Sequence, residues 1–428
     1  MIRFGTDGVR GPAGVFPIDA AGARRVGAAA ARLAEGGPVL IARDTRPSGV
    51  GLVAALAEGV AGASGEVWDL GVLPGSGCGA LVAATPGAVG VIVTASHNPA
   101  VDNGFKLLAP GGKKPDDEVV AQLEAWMADD APAAEPAVRQ VASQARSAWL
   151  AGMRDALPGI ADTLAGRRIG VDVAAGAATA VLNELRTLLP RTEITVVGAA
   201  GPINEGVGSE HPQALAERVR EDGLDAGIAV DGDADRCVLL DARGEVVHGD
   251  ALAWLLAGSM GAGGVAVTVM STYALEPALP GVEVVRTPVG DRHLALAMAE
   301  HGLALGCEAS GHALFSDAFP VGDGLLTGLR ALEAIFGSGD SVESAVAAFT
   351  PWPQRLGKLQ VAQRPDLAEV DAIQQAVEAA EARISPGRVL LRYSGTEPVL
   401  RIFVEGPDAS AVASAYAALA SACAEALG

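Results

Sequence analysis

The sequence predicts an α/β protein of three mixed α/β domains followed by a smaller C-terminal α+β domain. Three observations carry this. Short apolar strands alternate with helical segments in three successive blocks, as sheets covered on both faces require. The last 75 residues then change to a β-α-β-β-α order. Finally, half of the 428 residues are hydrophobic and only 19% are charged, which excludes wholesale disorder. Length alone suggests about three domains of roughly 150 residues each. The pattern argues for four, bounded at 1–145, 146–245, 246–352 and 353–428.

In the first block a helix over 19–35 leads to a strand at 38–44. A second helix at 50–63 leads to a strand at 65–71, and a further apolar segment leads to VGVIVTAS at 89–96. The Ala/Pro/acid-rich stretch 129–140 reads as a connector. The pattern restarts with strands at 167–173, 192–199 and 226–231, and again at 265–270, 282–289 and 303–309. Three such blocks suggest a threefold arrangement, although no residue-level repeat is evident. The final block offers LGKLQVAQ, a helix near 367–384, RVLLRYSG, VLRIFVEG and an Ala-rich helix at 408–427.

Charge narrows the function. Lys plus Arg number 31 against 51 Asp plus Glu, a net charge of −20. This argues against a nucleic-acid partner, whose backbone needs a basic surface, and against an anionic membrane surface. Lysine is scarce: Lys106, Lys113, Lys114 and Lys358 are all there are. Aromatic residues are 4%, so the core is built from Ala, Val and Leu. The four cysteines, Cys78, Cys237, Cys307 and Cys423, have no short spacing, so neither a disulfide framework nor a zinc cluster is expected. A cytoplasmic location is the simplest expectation. The N-terminal MIRFGTDGVRG lacks the apolar run of a signal peptide, and Arg24-Arg25 reads as part of an Ala-rich helix. The uncharged stretches 70–101 and 251–275 are broken by Pro and Gly, so they read as helix, turn and buried strand rather than as membrane spans.

Five loops carry candidate chemistry. Thr94-Ala95-Ser96-His97-Asn98-Pro99 follows a buried strand, where open α/β sheets place their sites. It is either a Ser/Asn/Pro turn or a nucleophile loop, and Ser96 would then need an activating partner or metal. Asp231-Gly232-Asp233-Ala234-Asp235-Arg236 presents carboxylates at i, i+2 and i+4, a hard oxygen set suited to Mg²⁺ or Ca²⁺ and not to zinc. An EF-hand is excluded, because Arg236 and Ala242 stand where it needs Gly and Glu. Arg236 would hold a phosphate beside the metal or pair with an aspartate. Arg392-Tyr393-Ser394-Gly395-Thr396-Glu397-Pro398, followed by Arg401, is either a phosphate cradle or a hairpin turn with surface arginines. Gly306-Cys307-Glu308-Ala309-Ser310-Gly311-His312 offers hydrogen-bonding groups for sugar hydroxyls or forms a polar turn. His312 could titrate near neutrality. Gly5-Thr6-Asp7-Gly8-Val9-Arg10-Gly11 is a glycine-rich loop with one arginine.

In this order and spacing the loops resemble the α-D-phosphohexomutase superfamily, over essentially the whole chain. FGTDGVRG, DNGFK (102–106), INEGVGSEHP (203–212) and VGDR (289–292) are similar to its branch acting on glucosamine phosphate. The branch acting on mannose and glucose phosphates is the alternative. The resemblance implies four domains around a central cleft, and an isomerase that interconverts sugar 6- and 1-phosphates. A phosphoserine and a sugar 1,6-bisphosphate would serve as intermediates. It implies Ser96 as the phosphoserine and Asp231, Asp233 and Asp235, with Ser96, as Mg²⁺ ligands. Arg10, His97 and Arg236 would steady the phosphate, with Lys106 and His312 as acid and base. Glu308, Ser310 and Arg292 would hold the sugar, and Arg392, Ser394, Gly395, Thr396 and Arg401 its distal phosphate. The expected partner is a small sugar phosphate, the chain being a monomer or homodimer. A non-catalytic sugar-phosphate binder would need the same loops without covalent chemistry. The sequence departs from the pattern at several positions. Ala309 stands where Gln or Met is usual, Cys307 replaces a common Gly, and Ala175 stands where Asn is frequent. Leu73-Pro74-Gly75-Ser76-Gly77 replaces a common Pro-Thr-Pro.

Overall fold

A computed structural model describes residues 2–5, 7–394 and 398–428. These form two compact units. One comprises the chain up to Met270 together with Gly281–Ala348, and the other comprises Ser271–Pro280 and Phe349–Gly428.

The larger unit holds three sheets. The first contains β1 (Val9–Pro12), β2 (Pro38–Arg43), β3 (Glu66–Val72), β4 (Val89–Val93), β5 (Asp102–Leu108) and β6 (Val138–Gln140), in the order β1-β5-β4-β2-β3-β6. The second contains β7 (Arg168–Asp172), β8 (Glu193–Val197), β9 (Ala226–Val230) and β10 (Cys237–Leu240), in the order β10-β9-β7-β8. The third contains β11 (Gly264–Thr268), β12 (Glu283–Thr287), β13 (Leu305–Cys307) and β14 (Ala313–Phe315), in the order β12-β11-β13-β14. The three sheets share one topology. Three parallel strands are followed by a fourth that turns back antiparallel: β4 to β5, β9 to β10 and β13 to β14. The threefold arrangement suggested by the sequence is thus present in strand order. In each sheet the loop singled out for chemistry joins the last parallel strand to the antiparallel one.

Local sequence explains the elements. The central strands β4, β9 and β11 are buried along their whole length, so they are continuous apolar runs without alternation. The helix Ala20–Leu33 starts where the Asp19 side chain accepts from the Gly22 N–H. It packs its alanines against the helix Gly49–Gly62, where small side chains permit close approach. The uncharged stretches resolve into helix and buried strand: Gly75–Ala84 before β4, and Gly249–Ser259 before β11. The connector at 129–140 differs from expectation at its end, because Val138–Gln140 forms β6. Its three exposed residues carry no strand pattern, and pairing with the open edge of β3 decides their conformation. Asp323 ties distant elements together. It caps the helix Gly324–Gly337 at Leu326 N and accepts from Ser76 Oγ (2.5 Å) and Trp149 Nε1 (2.7 Å).

The smaller unit has an antiparallel sheet of β15 (Gln354–Gln360), β16 (Arg388–Tyr393) and β17 (Val399–Glu405), in the order β15-β17-β16. The helices Asp371–Ile384 and Ala409–Leu427 complete the expected β-α-β-β-α order. The second helix is long and apolar enough to cross a membrane by length and composition. Its Val412, Ala415, Leu419, Cys423 and Leu427 instead form a core with Leu400, Ile402 and Val404 of the sheet. Ser271–Pro280 packs with this unit: buried Arg388 bonds Glu405 and donates to the Ser271 carbonyl (2.8 Å).

Candidate active site

Within the larger unit the hairpin loops of the three sheets meet. Ser96, buried just beyond β4, takes a left-handed conformation (φ 52°), which serine rarely adopts. Its Oγ donates to Asp231 Oδ2 (2.6 Å), across 135 residues of sequence. The Ser96 amide donates to Thr94 Oγ1 (2.9 Å), and Thr94 donates to Asp44 (2.7 Å). The loop is held by Arg46, which is fully buried. Arg46 Nη2 donates to the carbonyls of Ser96 (2.9 Å) and Asn98 (2.8 Å), Nη1 to Asp102 (2.8 Å) and Pro99, and Nε to Asp44 (2.9 Å). Asn204 repeats two of these contacts through Nδ2. Sequence pattern gives no role to Arg46, and none to Asn204 beyond its place in INEGVGSEHP. A signal for Arg46 is that Asp44-Thr45-Arg46 directly follows a buried strand.

The second loop lies against the first. A Cβ on Gly232 would sit 2.5 Å from the Ser96 carbonyl oxygen, so this close approach requires glycine. Ala234 is left-handed (φ 64°), and Asp231 Oδ1 accepts from the amides of Asp235 and Arg236 (3.1 Å each). This curl brings one oxygen each of Asp231, Asp233 and Asp235 within 4.8 Å of one another. Burial, together with the Asp235 and Asp233 charges, pushes the Asp231 carboxyl well above the usual carboxylate range. Asp233 Oδ1 and Asp235 Oδ1 are buried and have no hydrogen-bond partner among the described residues. Crowded hard oxygens with orphaned buried atoms fit a divalent cation such as Mg²⁺.

Lys106, on β5, faces this set. Its Nζ lies 2.6 Å from Asp233, 2.8 Å from Asp235 and 3.1 Å from Asp7. Burial opposes its charge, but these three carboxylates hold its pKa well above the ordinary value. Arg10 pairs with Asp7, and its Nε is buried without a partner among the described residues. His97 Nδ1 is 3.3 Å from Ser96 Oγ. Burial and the charges of Arg236 and Arg10 lower its pKa, favouring the neutral ring. Arg236 pairs with Glu210 (3.3 Å).

The third loop completes the cluster. His312 Nδ1 is 3.6 Å from Asp235, and Nε2 is 3.5 Å from Asp291. Burial works against its cation, but the facing Asp235 and Asp291 carboxylates raise its pKa to about 9. Glu308 accepts from Ser310 Oγ and from the Gly290 amide (3.0 Å each). Arg292 pairs with the exposed Asp117, and its Nε has no partner among the described residues. The burial of Cys307 pushes its thiol far above the usual range, as expected of a packing residue.

In the smaller unit, register sets Lys358, Arg401 and Arg392 side by side across β15, β17 and β16. Like charges placed directly opposite are unfavourable unless an anion joins them. Arg401 Nε is buried without a partner among the described residues, and Ser394 follows β16. Lys358 was not anticipated, because its place in this row depends on strand pairing. Gly395 and Thr396 lie outside the described residues.

Comparison with known proteins places the chain in a family. Residues 1–133, 248–351 and 356–422 match Phosphoglucomutase/phosphomannomutase alpha/beta/alpha domain I, alpha/beta/alpha domain III and C-terminal domain, respectively. A phosphoglucosamine mutase from Paracoccus denitrificans is 38% identical over 425 residues, covering 95% of each chain. A phosphoglucomutase/phosphomannomutase family protein from Burkholderia thailandensis superposes with a TM-score of 0.78 at 25% identity, covering 100% of this chain and 98% of its own. An Aspergillus fumigatus N-acetylphosphoglucosamine mutase, solved with GlcNAc-6P and magnesium, has a TM-score of 0.69 at 20% identity, covering 100% and 96%. The chain belongs to the phosphoglucomutase/phosphomannomutase family, a family of phosphohexose mutases.

Proposed function

We propose that the protein interconverts glucosamine 6-phosphate and glucosamine 1-phosphate through a phosphorylated Ser96. The observation that carries this is the buried Ser96 Oγ, held 2.6 Å from Asp231 in a three-carboxylate set that Lys106 faces. The whole-length relative named phosphoglucosamine mutase supports the sugar.

In the first half-reaction the phosphoryl leaves Ser96 Oγ for the free hydroxyl of the sugar monophosphate. The new O–P bond forms as the Ser96 O–P bond breaks, and the hydroxyl proton passes to the enzyme. Lys106 and His312, both against Asp235, are the acid–base pair for this and the reverse transfer. The bisphosphorylated sugar turns end for end and returns its other phosphoryl to Ser96. A sugar 1,6-bisphosphate therefore also loads Ser96 in the resting enzyme. Asp231, Asp233 and Asp235, together with Ser96, would hold Mg²⁺, which neutralises charge on the transferring phosphoryl group. His97, Arg10 and Arg236 contact that group. Glu308, Ser310 and Arg292 orient the sugar, and Arg392, Ser394, Gly395, Thr396 and Arg401 hold the phosphate that is not reacting. In a chain of charge −20, these local cations offset the repulsion of an anionic substrate. The four sheets support four domains at 1–145, 146–245, 246–352 and 353–428. The buried, unpaired cysteines support a cytoplasmic location.

A second reading is a mutase for mannose or glucose phosphates: Ala309 supplies no side-chain amide to an amino sugar, although it matches neither branch, where Gln or Met is usual. Catalytic efficiency on the three 6-phosphates separates the two. A preference for glucosamine is expected, and equal or better turnover of the hexose phosphates would reverse the assignment.

A further inference from the structure

We propose that Lys114 is a positioning residue, which fixes Lys106 and His312 in one frame by bridging Asp7 and Asp291. This rests on the mutase reading of the site.

Six side chains close a ring in which basic groups alternate with carboxylates. Lys106 meets Asp7 (3.1 Å), and Asp7 meets Lys114. Lys114 meets Asp291 (2.6 Å), and Asp291 faces His312 (3.5 Å). His312 faces Asp235 (3.6 Å), and Asp235 returns to Lys106 (2.8 Å). The ring joins residues from the blocks of all three sheets of the larger unit. Its Lys114–Asp291 contact spans 177 residues of sequence. Lys114 donates to both Asp291 oxygens, at 2.6 and 2.7 Å, so it holds that carboxylate by two contacts. Among the described residues, no hydrogen bond or ion pair joins it to the Asp231–Asp233–Asp235 set or to Ser96. Its route to the chemistry therefore runs through Asp7 to Lys106 and through Asp291 to His312.

The surroundings favour this role. Lys114 and Asp291 also line a cavity of about 400 Å³ walled mainly by apolar groups, including Met298, Leu314, Phe315 and Phe319. Low polarity on that side strengthens the ion pair. Without Lys114, Asp7 and Asp291 lose their common cation. Asp7 would then turn toward Lys106 and Arg10, and Asp291 toward His312, so the acid–base pair would lose its spacing. Small displacements of such groups are enough to slow catalysis strongly.

The test compares wild type with Lys114→Met, which keeps an unbranched stem, and Lys114→Arg, which can bridge two carboxylates. Intact mass spectrometry after incubation with glucose 1,6-bisphosphate and Mg²⁺ counts the Ser96 sites able to take a phosphoryl group. Turnover of glucosamine 6-phosphate is then expressed per competent site. Lys114→Met is expected to lower this kcat about 30-fold with KM changed less than about threefold, and Lys114→Arg to recover it to within about fivefold. If Lys114→Met loses competent sites but keeps its kcat per site within twofold of wild type, Lys114 is merely structural and the proposal is overturned. A wild-type protein that neither takes a phosphoryl group on Ser96 nor turns over would instead overturn the mutase reading itself.

Discussion

Two buried ionic clusters adjoin the Ser96 loop, and they are built differently. In one, Arg46 and Asp44 are fully buried, and every Arg46 nitrogen is bonded: Nε to Asp44, and both Nη atoms to backbone carbonyls of the serine loop. In the other, Lys106 meets three carboxylates, while Asp233 Oδ1, Asp235 Oδ1 and His312 Nε2 are left without a hydrogen-bond partner among the described residues. A satisfied cluster fixes a conformation, here the left-handed Ser96. An unsatisfied one carries the cost of buried polar atoms because a ligand completes it.

This contrast predicts opposite responses. Ser96→Ala should abolish mutase turnover, by at least about 1,000-fold, and eliminate the phosphoryl adduct in intact mass spectra. An adduct that survives this change would place the covalent step elsewhere. Asp233→Asn should slow phosphoryl transfer about 10- to 100-fold and weaken Mg²⁺ dependence, with little loss of folding stability. Normal kcat in this variant would make the triple-Asp loop structural. Arg46→Met should do the reverse, costing about 3 kcal/mol of unfolding free energy in denaturant titration, because Asp44 and four carbonyls lose a common partner. If Asp233→Asn proved the more destabilising of the two, the contrast would fail.

A smaller effect is expected at Ala175, where φ is 48°. Alanine pays for this conformation, whereas glycine does not. Ala175→Gly should therefore stabilise the protein by about 1 kcal/mol at unchanged turnover. An unshifted denaturation midpoint would show that the backbone relaxes locally.

The legibility of the site followed the same division. Ser96, the three aspartates, Glu308 and His312 stand in loops of small and polar residues directly after apolar strands, so sequence pattern locates them. Arg46, Asn204, Lys114 and Lys358 look like ordinary polar residues. Arg46 acts through carbonyls about 50 residues away, and Lys358 acts through the register of β15 on β17. Strand β6 was missed for a similar reason, because three exposed residues gain their conformation only from the edge of β3.

The sequence by itself determined most of the parallel strands, the main helices and the places where chain reversals put polar groups. Each of these depends on apolar periodicity, capping and turn residues within a short window. The tertiary structure decided which charges meet. Ser96 reaches Asp231 across 135 residues, Lys106 reaches Asp235 across 129 and Lys114 reaches Asp291 across 177. Such pairings arise from the packing of three similar sheets, and ion pairing in a buried site depends on distance in space rather than along the chain.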